Sequence, residues 1–329
     1  MLIVAKSTVV LCGGQLKINP VEDLGYGVYC IDARYISHGV ACCYLMVEGG
    51  EVAIIETGTA HTADGIADAL AYLKLPSEAV RYIIPTHVHL DHAGGAGVLM
   101  QRYPEAQLVI HPRGARHMIN PTQLIVSSKA VYGEEKFAQL YGEIIPVLEE
   151  RVLVVEDGEK LNLGGRVLEF RHTPGHAEHH FCIWDAQSQG WFTGDTFGIS
   201  YREMVMGDDR FIIPTTSPVQ FDPDKLLGSI DLMMSRQPQR MYLTHYSVVD
   251  KPEKLSLLLC AQIEDYRQIA LSLKNEPERE QKIVRELRGM TLARIKAIQP
   301  DAKLQALDKV LALDFQLNAQ GIDVWLSRQ

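Results

Sequence analysis

The first part of the chain alternates short, apolar, β-branched runs with glycine turns, a pattern that predicts consecutive β-strands. Three runs of this kind are VYCIDARYI, ACCYLMVEG and EVAIIETG. Glu48-Gly49-Gly50 separates the last two and predicts a hairpin turn. The apolar start, residues 1–14, is expected to form an edge strand, because it lacks the basic start and the cleavage site of a signal peptide.

Helical and strand patterns then alternate. Ile66, Leu70 and Leu73 recur at helical spacing, which predicts a helix over residues 62–74. The run VRYIIPTH predicts a buried strand, and LVIHP predicts another one after a helix near residues 94–103. This alternation of strands and helices indicates a layered α/β fold.

A second region shows the same order of elements. Two hairpin turns are predicted, at Asp157-Gly158 and at Gly164-Gly165, and HHFCIWDAQSQGWFTGD predicts a further hairpin. A helix is expected near residues 223–236, and RMYLTHY predicts a strand that ends at a histidine. Because no residue-level repeat accompanies this order, we expect architectural symmetry only.

From about residue 252 the strand patterns stop and helical patterns replace them. Two apolar stripes at helical spacing are Val284, Leu287, Ile295 and Ile298, and Leu304, Leu307 and Leu311. Pro300-Asp301 predicts a helix break followed by an N-cap, and Gly321 predicts a C-terminal cap. We therefore divide the chain into a catalytic domain, residues 1–251, and a helical extension, residues 252–329, which either packs on the domain or forms a homodimer.

Composition narrows the class of protein. The 329 residues carry a formal charge of −9, so neither nucleic acid nor an anionic membrane surface is an expected partner. A small-molecule substrate is expected instead. No apolar run reaches the ~18 residues that span a bilayer. The cysteines form no CxxC pair, so we expect reduced thiols and a cytoplasmic location: Cys12, Cys30, Cys42, Cys43, Cys182 and Cys260.

The strongest chemical signal is the segment THVHLDHAGG, directly after an apolar strand. His87, His89, Asp91 and His92 lie within six residues. Neutral imidazole is the commonest metal ligand, and in an extended loop His87 and His89 point the same way. Four such groups buried without a metal would each need a partner, which makes a metal-free core cluster costly. The segment therefore predicts a metal site.

Further candidate ligands follow later strands. His176 lies in HTPGH after the strand RVLEFR, Asp195 follows the strand WFT, and His245 follows the strand RMYL. Functional groups are often placed on loops at strand ends, because a rigid sheet positions them.

Together the motifs THxHxDH, TPGH, GD and TH resemble those of the metallo-β-lactamase superfamily, over roughly residues 25–250, and suggest glyoxalase II-like or lactonase-like hydrolases. The resemblance implies an α/β fold with a four-layer αβ/βα sandwich and a dinuclear site at one sheet edge. It also implies that one metal is held by His87, His89 and His176. The second would be held by Asp91, His92 and His245, with Asp195 bridging the two.

The resemblance also implies a mechanism. Two divalent ions, most simply zinc, with iron or manganese as alternatives, would hold a bridging hydroxide near neutral pH. Asp91 would orient this hydroxide or shuttle its proton. The expected reaction is hydrolysis of an ester, thioester or lactone. Two alternatives stay open at this point: a phosphodiesterase, and an oxidoreductase with a single iron, similar to persulfide dioxygenases.

Some residues around the motifs have open roles. Glu56 stands where the family often has Asp, and is expected to orient a ligand. Either His179 or His180 is expected to lie behind the ligands or to face the substrate. After Asp195 a long connection predicts a lid, in which Tyr201 would donate a proton or hydrogen bond to a substrate oxygen. Residues 211–213, Phe-Ile-Ile, would form an apolar wall of the pocket.

Overall fold

The computed structural model describes residues 10–12, 15–17, 20–206, 209–216 and 220–329. The β-strands of these residues, in chain order, are β1 Val10–Cys12, β2 Gln15–Lys17, β3 Glu22–Asp23, β4 Val28–Asp32, β5 Cys42–Glu48, β6 Glu51–Ile55, β7 Val80–Ile84, β8 Gln107–Ile110, β9 Val152–Val154, β10 Lys160–Leu163, β11 Arg166–His172, β12 Phe181–Asp185, β13 Gly190–Gly194, β14 Val205–Met206, β15 Asp209–Arg210, β16 Arg240–Leu243 and β17 Ser247–Asp250.

The α-helices of the same residues are α1 Ala63–Tyr72, α2 Leu90–Ala93, α3 Ala96–Arg102, α4 Pro112–Ile119, α5 Thr122–Tyr132, α6 Glu134–Tyr141, α7 Pro223–Met234, α8 Glu253–Ser272, α9 Arg279–Ile298, α10 Leu304–Val310 and α11 Ala312–Leu326. The predicted helix near residues 94–103 corresponds to α3, which the short helix α2 precedes. The helices predicted near residues 62–74 and 223–236 correspond to α1 and α7.

The first large sheet has the strand order β3-β4-β5-β6-β7-β8-β9. Strands β3 to β6 pair antiparallel, whereas β6 to β9 pair in parallel. Helices connect the parallel strands along the chain. Glu48 pairs with Glu51 across a two-residue turn, and Gly49 and Gly50 have φ values of 55° and 84°. Two-residue hairpin turns with positive φ at both positions favour glycine, so the predicted turn is confirmed.

The second large sheet has the strand order β10-β11-β12-β13-β16-β17, with β13 and β16 parallel. The hairpins predicted at Gly164-Gly165 and between β12 and β13 are both present. The hairpin predicted at Asp157-Gly158 is wrong, because β9 pairs with β8 in the first sheet while β10 begins the second. Asp157 instead lies where the chain passes from the first sheet to the second. Its carboxylate accepts hydrogen bonds from Arg171 Nε and from His172 N.

Alternating side chains of the strands pack in two different layers. On β5, Tyr44 and Met46 lie between the two sheets with Phe170 and Phe192 of the second sheet. Leu45, between them in sequence, points to the outer face with α1 and α3. Because both faces of such a strand are covered, its sequence is a continuous run of apolar residues. Helix α7 covers the second sheet, so the predicted four-layer αβ/βα sandwich is confirmed.

The helices α8 to α11 follow the last strand, as the loss of strand patterns predicted. Two of the predicted details are wrong. The N-cap of α10 is Lys303 rather than Asp301, and Gly321 is buried inside α11 rather than capping a helix. A glycine inside a helix costs roughly 1 kcal/mol relative to alanine, and close packing outweighs its local preference here. The division into residues 1–251 and 252–329 and the homodimer stay predictions.

Three smaller findings complete the fold. The edge strand predicted for residues 1–14 lies mostly outside the described residues, although β1 pairs with β2 in a separate small sheet. Every cysteine whose side chain is described is a free thiol, which leaves Cys12 outside this statement. Within the described chain, the helices are all too short or too polar to cross a lipid bilayer.

Candidate metal centre

All seven predicted ligands lie just beyond the carboxyl ends of strands. His87, His89, Asp91 and His92 follow β7, and His89 is the extended N-cap residue of α2. The remaining residues follow β11, β13 and β16 and are His176, Asp195 and His245. Since β13 and β16 are parallel neighbours, their ends reach the same edge of the sheet. The sheets therefore bring seven residues that are distant in sequence to one place.

Three imidazoles form a first group. His87 Nε2 lies 2.8 Å from His89 Nδ1, and His176 Nε2 lies 3.1 Å from the same His89 atom. These three nitrogens are close enough to bind one metal ion. The prediction from the sequence placed the same three residues around one ion.

A second group joins two imidazoles to a carboxylate. Asp91 Oδ2 lies 3.5 Å from His245 Nε2 and 3.7 Å from His92 Nε2. These atoms could also hold one metal ion. The grouping again agrees with the one that the sequence predicted.

Asp195 lies between the two groups. Its Oδ2 is 3.4 Å from His176 Nε2 of the first group, while its Oδ1 is 3.2 Å from His92 Nε2 and 3.6 Å from His245 Nε2 of the second. One carboxylate thus presents one oxygen to each group, which is the arrangement that a bridging ligand requires.

In His176 and His245, the ring nitrogen that faces away from the centre is hydrogen-bonded to a backbone carbonyl. His176 Nδ1 lies 3.2 Å from Thr215 O, and His245 Nδ1 lies 2.7 Å from Val40 O. A carbonyl oxygen can only accept a hydrogen bond, so both Nδ1 atoms carry the proton. Each Nε2 therefore turns an unshared electron pair towards the centre, which is the tautomer that binds a metal.

Glu56 fixes a histidine in each group. Its Oε1 lies 3.1 Å from His92 Nδ1 and accepts hydrogen bonds from Thr86 Oγ1 at 2.6 Å and Thr244 Oγ1 at 2.9 Å. Because the Thr86 hydroxyl proton points to the carboxylate, its oxygen accepts from His87 Nδ1 at 3.1 Å. Glu56 is 1% exposed and has a φ of 63°, a backbone region that is unusual for a residue other than glycine. The orienting role predicted for Glu56 agrees with this geometry.

The two adjacent histidines behind the TPGH motif have different environments. His180 Nε2 accepts a hydrogen bond from the Asp195 backbone N at 3.2 Å, and its Nδ1 contacts Thr173 and Thr196 hydroxyls. His180 therefore lies behind Asp195. His179 lines the cavity described below, and its buried Nδ1 has no hydrogen-bond partner among the described residues.

The electrostatics differ between the two groups. Burial and the neighbouring imidazoles lower the pKa of His87, and burial lowers the pKa of His89 to about 3. In the second group burial also acts to lower the pKa of His92, but Asp195, Glu56 and Asp91 raise it well above its usual value. The imidazoles of the first group are thus neutral electron-pair donors, whereas the carboxylates around His92 favour a positive charge at the second group.

Buried atoms without partners support a cation at this centre. His92 Nε2 and Asp195 Oδ1 are buried and lack a hydrogen-bond partner within the described residues. Leaving such groups unsatisfied is costly. Although burial alone would raise the pKa of Asp195, His92 and His176 lower it well below its usual value, so the carboxylate is ionised. These donors fit divalent metal ions.

Two glycines are required by close packing around the centre. A Cβ on Gly194 would lie 2.4 Å from His180 Nε2, and this residue also has a φ of 48°. A Cβ on Gly95 would lie 2.5 Å from the Thr57 carbonyl oxygen. The glycines thus let backbone segments approach each other behind the ligands.

A cavity of about 420 Å³ opens onto the centre. It is lined by the ligands Asp91 and His176 among others, and by Tyr201. Its apolar wall comes mainly from two helices, with the side chains Leu124, Val131 and Tyr132 of α5 and Leu313 and Leu317 of α11. The apolar wall predicted at residues 211–213 is wrong, because those side chains are fully buried in the core beneath the C-terminal helices.

Sequence reasoning missed several residues of this region. Asp314 of α11 lines the cavity, and Tyr201 OH donates a hydrogen bond to its Oδ1 at 2.9 Å. Tyr201 therefore lines the cavity as predicted, but its proton is directed to Asp314; its role in the reaction stays a prediction. One signal was present in the sequence, since Asp314 and Asn318 continue the helical spacing of Leu307 and Leu311 with polar residues.

Comparison with known proteins places this geometry in a family. Residues 39–245, more than half of the chain, match the sequence model of the metallo-beta-lactamase superfamily. The chain is 28% identical over 214 residues to the metallo-beta-lactamase fold-containing protein ST1585 of Sulfurisphaera tokodaii, covering 64% of this chain and 74% of that protein. The crystal structure of ST1585 has a TM-score of 0.62 at 22% identity and covers 91% of this chain and 98% of that one, which shows a shared fold.

Some relatives carry names that describe an activity. The human acyl-coenzyme A thioesterase MBLAC2 is 25% identical over 191 residues, which cover 53% of this chain and 64% of that protein. The atrochrysone carboxyl ACP thioesterase of Claviceps purpurea is 23% identical over 244 residues, which cover 73% of this chain and 62% of that protein.

Proposed function

The chain belongs to the metallo-β-lactamase superfamily, and we propose that it hydrolyses an uncharged acyl substrate, an ester or thioester, with two divalent metal ions. The observation that carries this proposal is the convergence of two ligand groups that share Asp195 at the floor of an apolar cavity. Lactones belong to the same class, since their reacting group is also a carbonyl carbon.

The charges of the cavity favour an acyl substrate over a phosphodiester. Among the described residues that line it there is no lysine or arginine, and its charged groups are Asp91, Asp195 and Asp314. Proteins usually bind phosphate oxygens with arginine or lysine, often through paired hydrogen bonds. An uncharged ester needs no such partner. The thioesterase names of two relatives support a thioester carbonyl, rather than a phosphoryl group, as the reacting centre.

The residues that would hold the ions are those of the two groups. His87, His89 and His176 would hold one ion and Asp91, His92 and His245 the other. Asp195 forms a third close group with one histidine of each set, His87 and His92, which suits a position between the two ions. When bound, two divalent ions lower the pKa of water towards 7 and polarise the carbonyl of the substrate. Imidazole-rich sites of this kind suit zinc, and iron or manganese are the alternatives.

The second group also argues against the single-iron alternative. An oxidoreductase with one iron would need the first group only. Here His92 and His245 are oriented by Glu56 and by the Val40 carbonyl as firmly as the first group is. Orientation of this kind is typical of ligands that bind, so we propose two ions per chain.

Asp91 is suited to a second role. Its side chain is 22% exposed, compared with 8% for Asp195, and it lines the cavity. Although burial acts to raise the pKa of Asp91, His92 and His245 lower it to about 2, so it is an acceptor at neutral pH. We propose that Asp91 accepts the proton of the attacking water and passes it to the leaving oxygen or sulfur.

The proposal is tested with purified protein reconstituted with zinc, iron or manganese and assayed on a matched set of uncharged esters, thioesters, lactones and a phosphodiester. Hydrolysis of acyl substrates without hydrolysis of the phosphodiester is the expected result. Asp195→Asn should abolish it, whereas His61→Gln, at an exposed position, should not. Turnover of the phosphodiester alone, or of no substrate with both sites filled, would contradict the proposal.

A further inference from the structure

The α11 part of the cavity wall has a polar spot between apolar side chains, and α5 contributes the polar side chains Gln123, Ser127 and Ser128 elsewhere on the wall. On α11, Leu313 and Leu317 line the cavity together with Asp314, and Tyr201 lies beside them. The ring of Tyr201 lies 6.1 Å from that of His245, so this spot is next to the second ligand group. A substrate whose carbonyl reaches the metal centre therefore lies against Asp314 and Tyr201.

The direction of the Tyr201–Asp314 hydrogen bond determines what this spot can bind. Tyr201 OH donates to Asp314 Oδ1 at 2.9 Å. A phenol has a single proton, so while this hydrogen bond is in place the Tyr201 oxygen can only accept. The pair therefore presents acceptors to the cavity: the Tyr201 oxygen and the carboxyl group of Asp314.

The Asp314 carboxyl has no cationic neighbour to neutralise it. No lysine or arginine forms an ion pair with Asp314 within the described residues. Burial raises the pKa of Asp314 to about 7, while the hydrogen bond from Tyr201 acts in the opposite direction. A carboxyl group in such surroundings is stabilised by any hydrogen-bond donor that a ligand brings.

We infer that Asp314 and Tyr201 form a recognition site for a hydrogen-bond donor, an N–H or O–H group that the acyl substrate carries close to its reacting carbonyl. The inference rests on the proposed function and makes it more specific. The substrate would combine an apolar part, which lies against α5 and α11, with a donor that faces Asp314. Under this inference both residues set specificity and neither is a metal ligand.

Binding of two unreactive analogues tests the inference without turnover. Decanamide has an apolar chain and two N–H donors, whereas N,N-dimethyldecanamide has none. Isothermal titration of the metal-loaded protein at pH 8.5, above the pKa of about 7 that burial gives Asp314, should show decanamide binding about tenfold more tightly, the size of one hydrogen bond to a charged group. Equal affinities, or no binding of either amide, would overturn the inference.

Three variants separate recognition from a structural role. Asp314→Asn places an N–H₂ group where the carboxylate offered an acceptor, so the preference for decanamide should vanish or reverse. Tyr201→Phe removes one acceptor and should reduce the preference by a smaller factor. Asp308→Asn on the neighbouring helix α10, which removes an exposed ion pair with Arg288 of α9, should keep the full preference. A preference that survives in Asp314→Asn protein with normal metal content would overturn the inference.

Failure of the recognition site can be distinguished from failure of the proposed hydrolase function. A wild-type protein that prefers decanamide but hydrolyses no ester or thioester would retain the recognition site and refute the hydrolase. A protein that hydrolyses acyl substrates without preferring either amide would retain the hydrolase and refute the recognition site.

Discussion

Glu56 Oε1 lies 3.1 Å from His92 Nδ1 and also accepts the Thr86 hydroxyl, which in turn holds His87. One buried carboxylate thus orients one histidine of each ligand group. Its two threonine partners, Thr86 and Thr244, follow the strands β7 and β16 of different sheets. Glu56 therefore joins the two sheets at the point where the candidate metal centre is formed.

Replacing Glu56 should weaken metal binding. Glu56→Gln keeps the shape of the side chain but removes its charge, and with the amide oxygen at the Oε1 position its NH₂ group faces the Thr86 backbone N–H, which donates to Glu56 Oε2 at 3.1 Å. Loss of an outer partner of this kind typically costs 10–100-fold in metal affinity. Competition with a chelator should show a loss of this size, with normal affinity in the control Glu78→Gln, which is exposed. Unchanged affinity in Glu56→Gln would mean that the carboxylate does not orient the ligands.

The C-terminal helix α11 should affect metal binding through Asn318. Its side chain accepts from Thr216 N at 2.8 Å and donates to Pro214 O at 3.0 Å, on either side of the Thr215 carbonyl that holds His176. Asn318→Ala should therefore loosen His176 and lower metal affinity by roughly three- to tenfold, less than loss of a direct partner. The same chelator competition measures it, and the exposed Asn275→Ala is the control.

A buried ion pair away from the centre should matter for stability. Arg166 Nε donates to Asp185 Oδ1 at 2.8 Å, and Ser188 N donates to Oδ2 at 2.9 Å. Removing one partner of a buried pair costs about 3–5 kcal/mol. Asp185→Asn should lower the free energy of unfolding by this amount in urea titrations at pH 7. Asp250→Asn, in an exposed pair with Arg240, should cost about 0–1 kcal/mol.

The cost of Asp185→Asn should depend on pH. Burial acts to raise the pKa of Asp185, but its hydrogen bonds with Arg166 and Ser188 lower it below its usual value. The stability that Asp185 contributes is therefore complete above about pH 4, the unfolded pKa, and is lost as the pH falls through the folded pKa. The difference between wild type and Asp185→Asn should accordingly shrink below pH 4. A constant difference would show that the ionised carboxylate is not responsible.

Filling the apolar wall should change substrate size preference. Leu124 of α5 lines the cavity and is partly buried. Leu124→Trp should raise KM for substrates with long acyl chains about tenfold or more, because the extra ring occupies the chain's space, with a smaller effect on short ones. Metal content should stay normal. The control is Leu257→Trp on α8, where the residue is 74% exposed. Equal effects on long and short chains would place the acyl chain elsewhere.

The sequence predicted most of the strands and the residues that converge at the candidate metal centre, because both have local patterns. Strands β4 to β6 follow from β-branched runs and from a two-glycine turn, and the ligands occupy positions at the ends of predicted strands. The resemblance to a known family then grouped the ligands as the structure does. It did not reveal Thr86 and Thr244 as partners of Glu56, since threonine after a strand has many roles.

Features that depend on distant contacts were not predictable. Asp157-Gly158 has the composition of a hairpin turn whether the next strand joins the same sheet or the other one. Asp314 meets Tyr201 across 113 positions of the chain, and no local pattern indicates such a contact. The buried Gly321 shows the same limit, because tertiary packing overrides the local tendency of glycine to end a helix.

The most direct test of the account is a crystal structure of the metal-reconstituted protein with anomalous scattering recorded at the absorption edge of the metal. The account predicts two peaks per chain: one among His87, His89 and His176 and one among Asp91, His92 and His245, with Asp195 contacting both. A single peak in the first group would favour one ion. No peak at either position in metal-saturated protein would contradict the account.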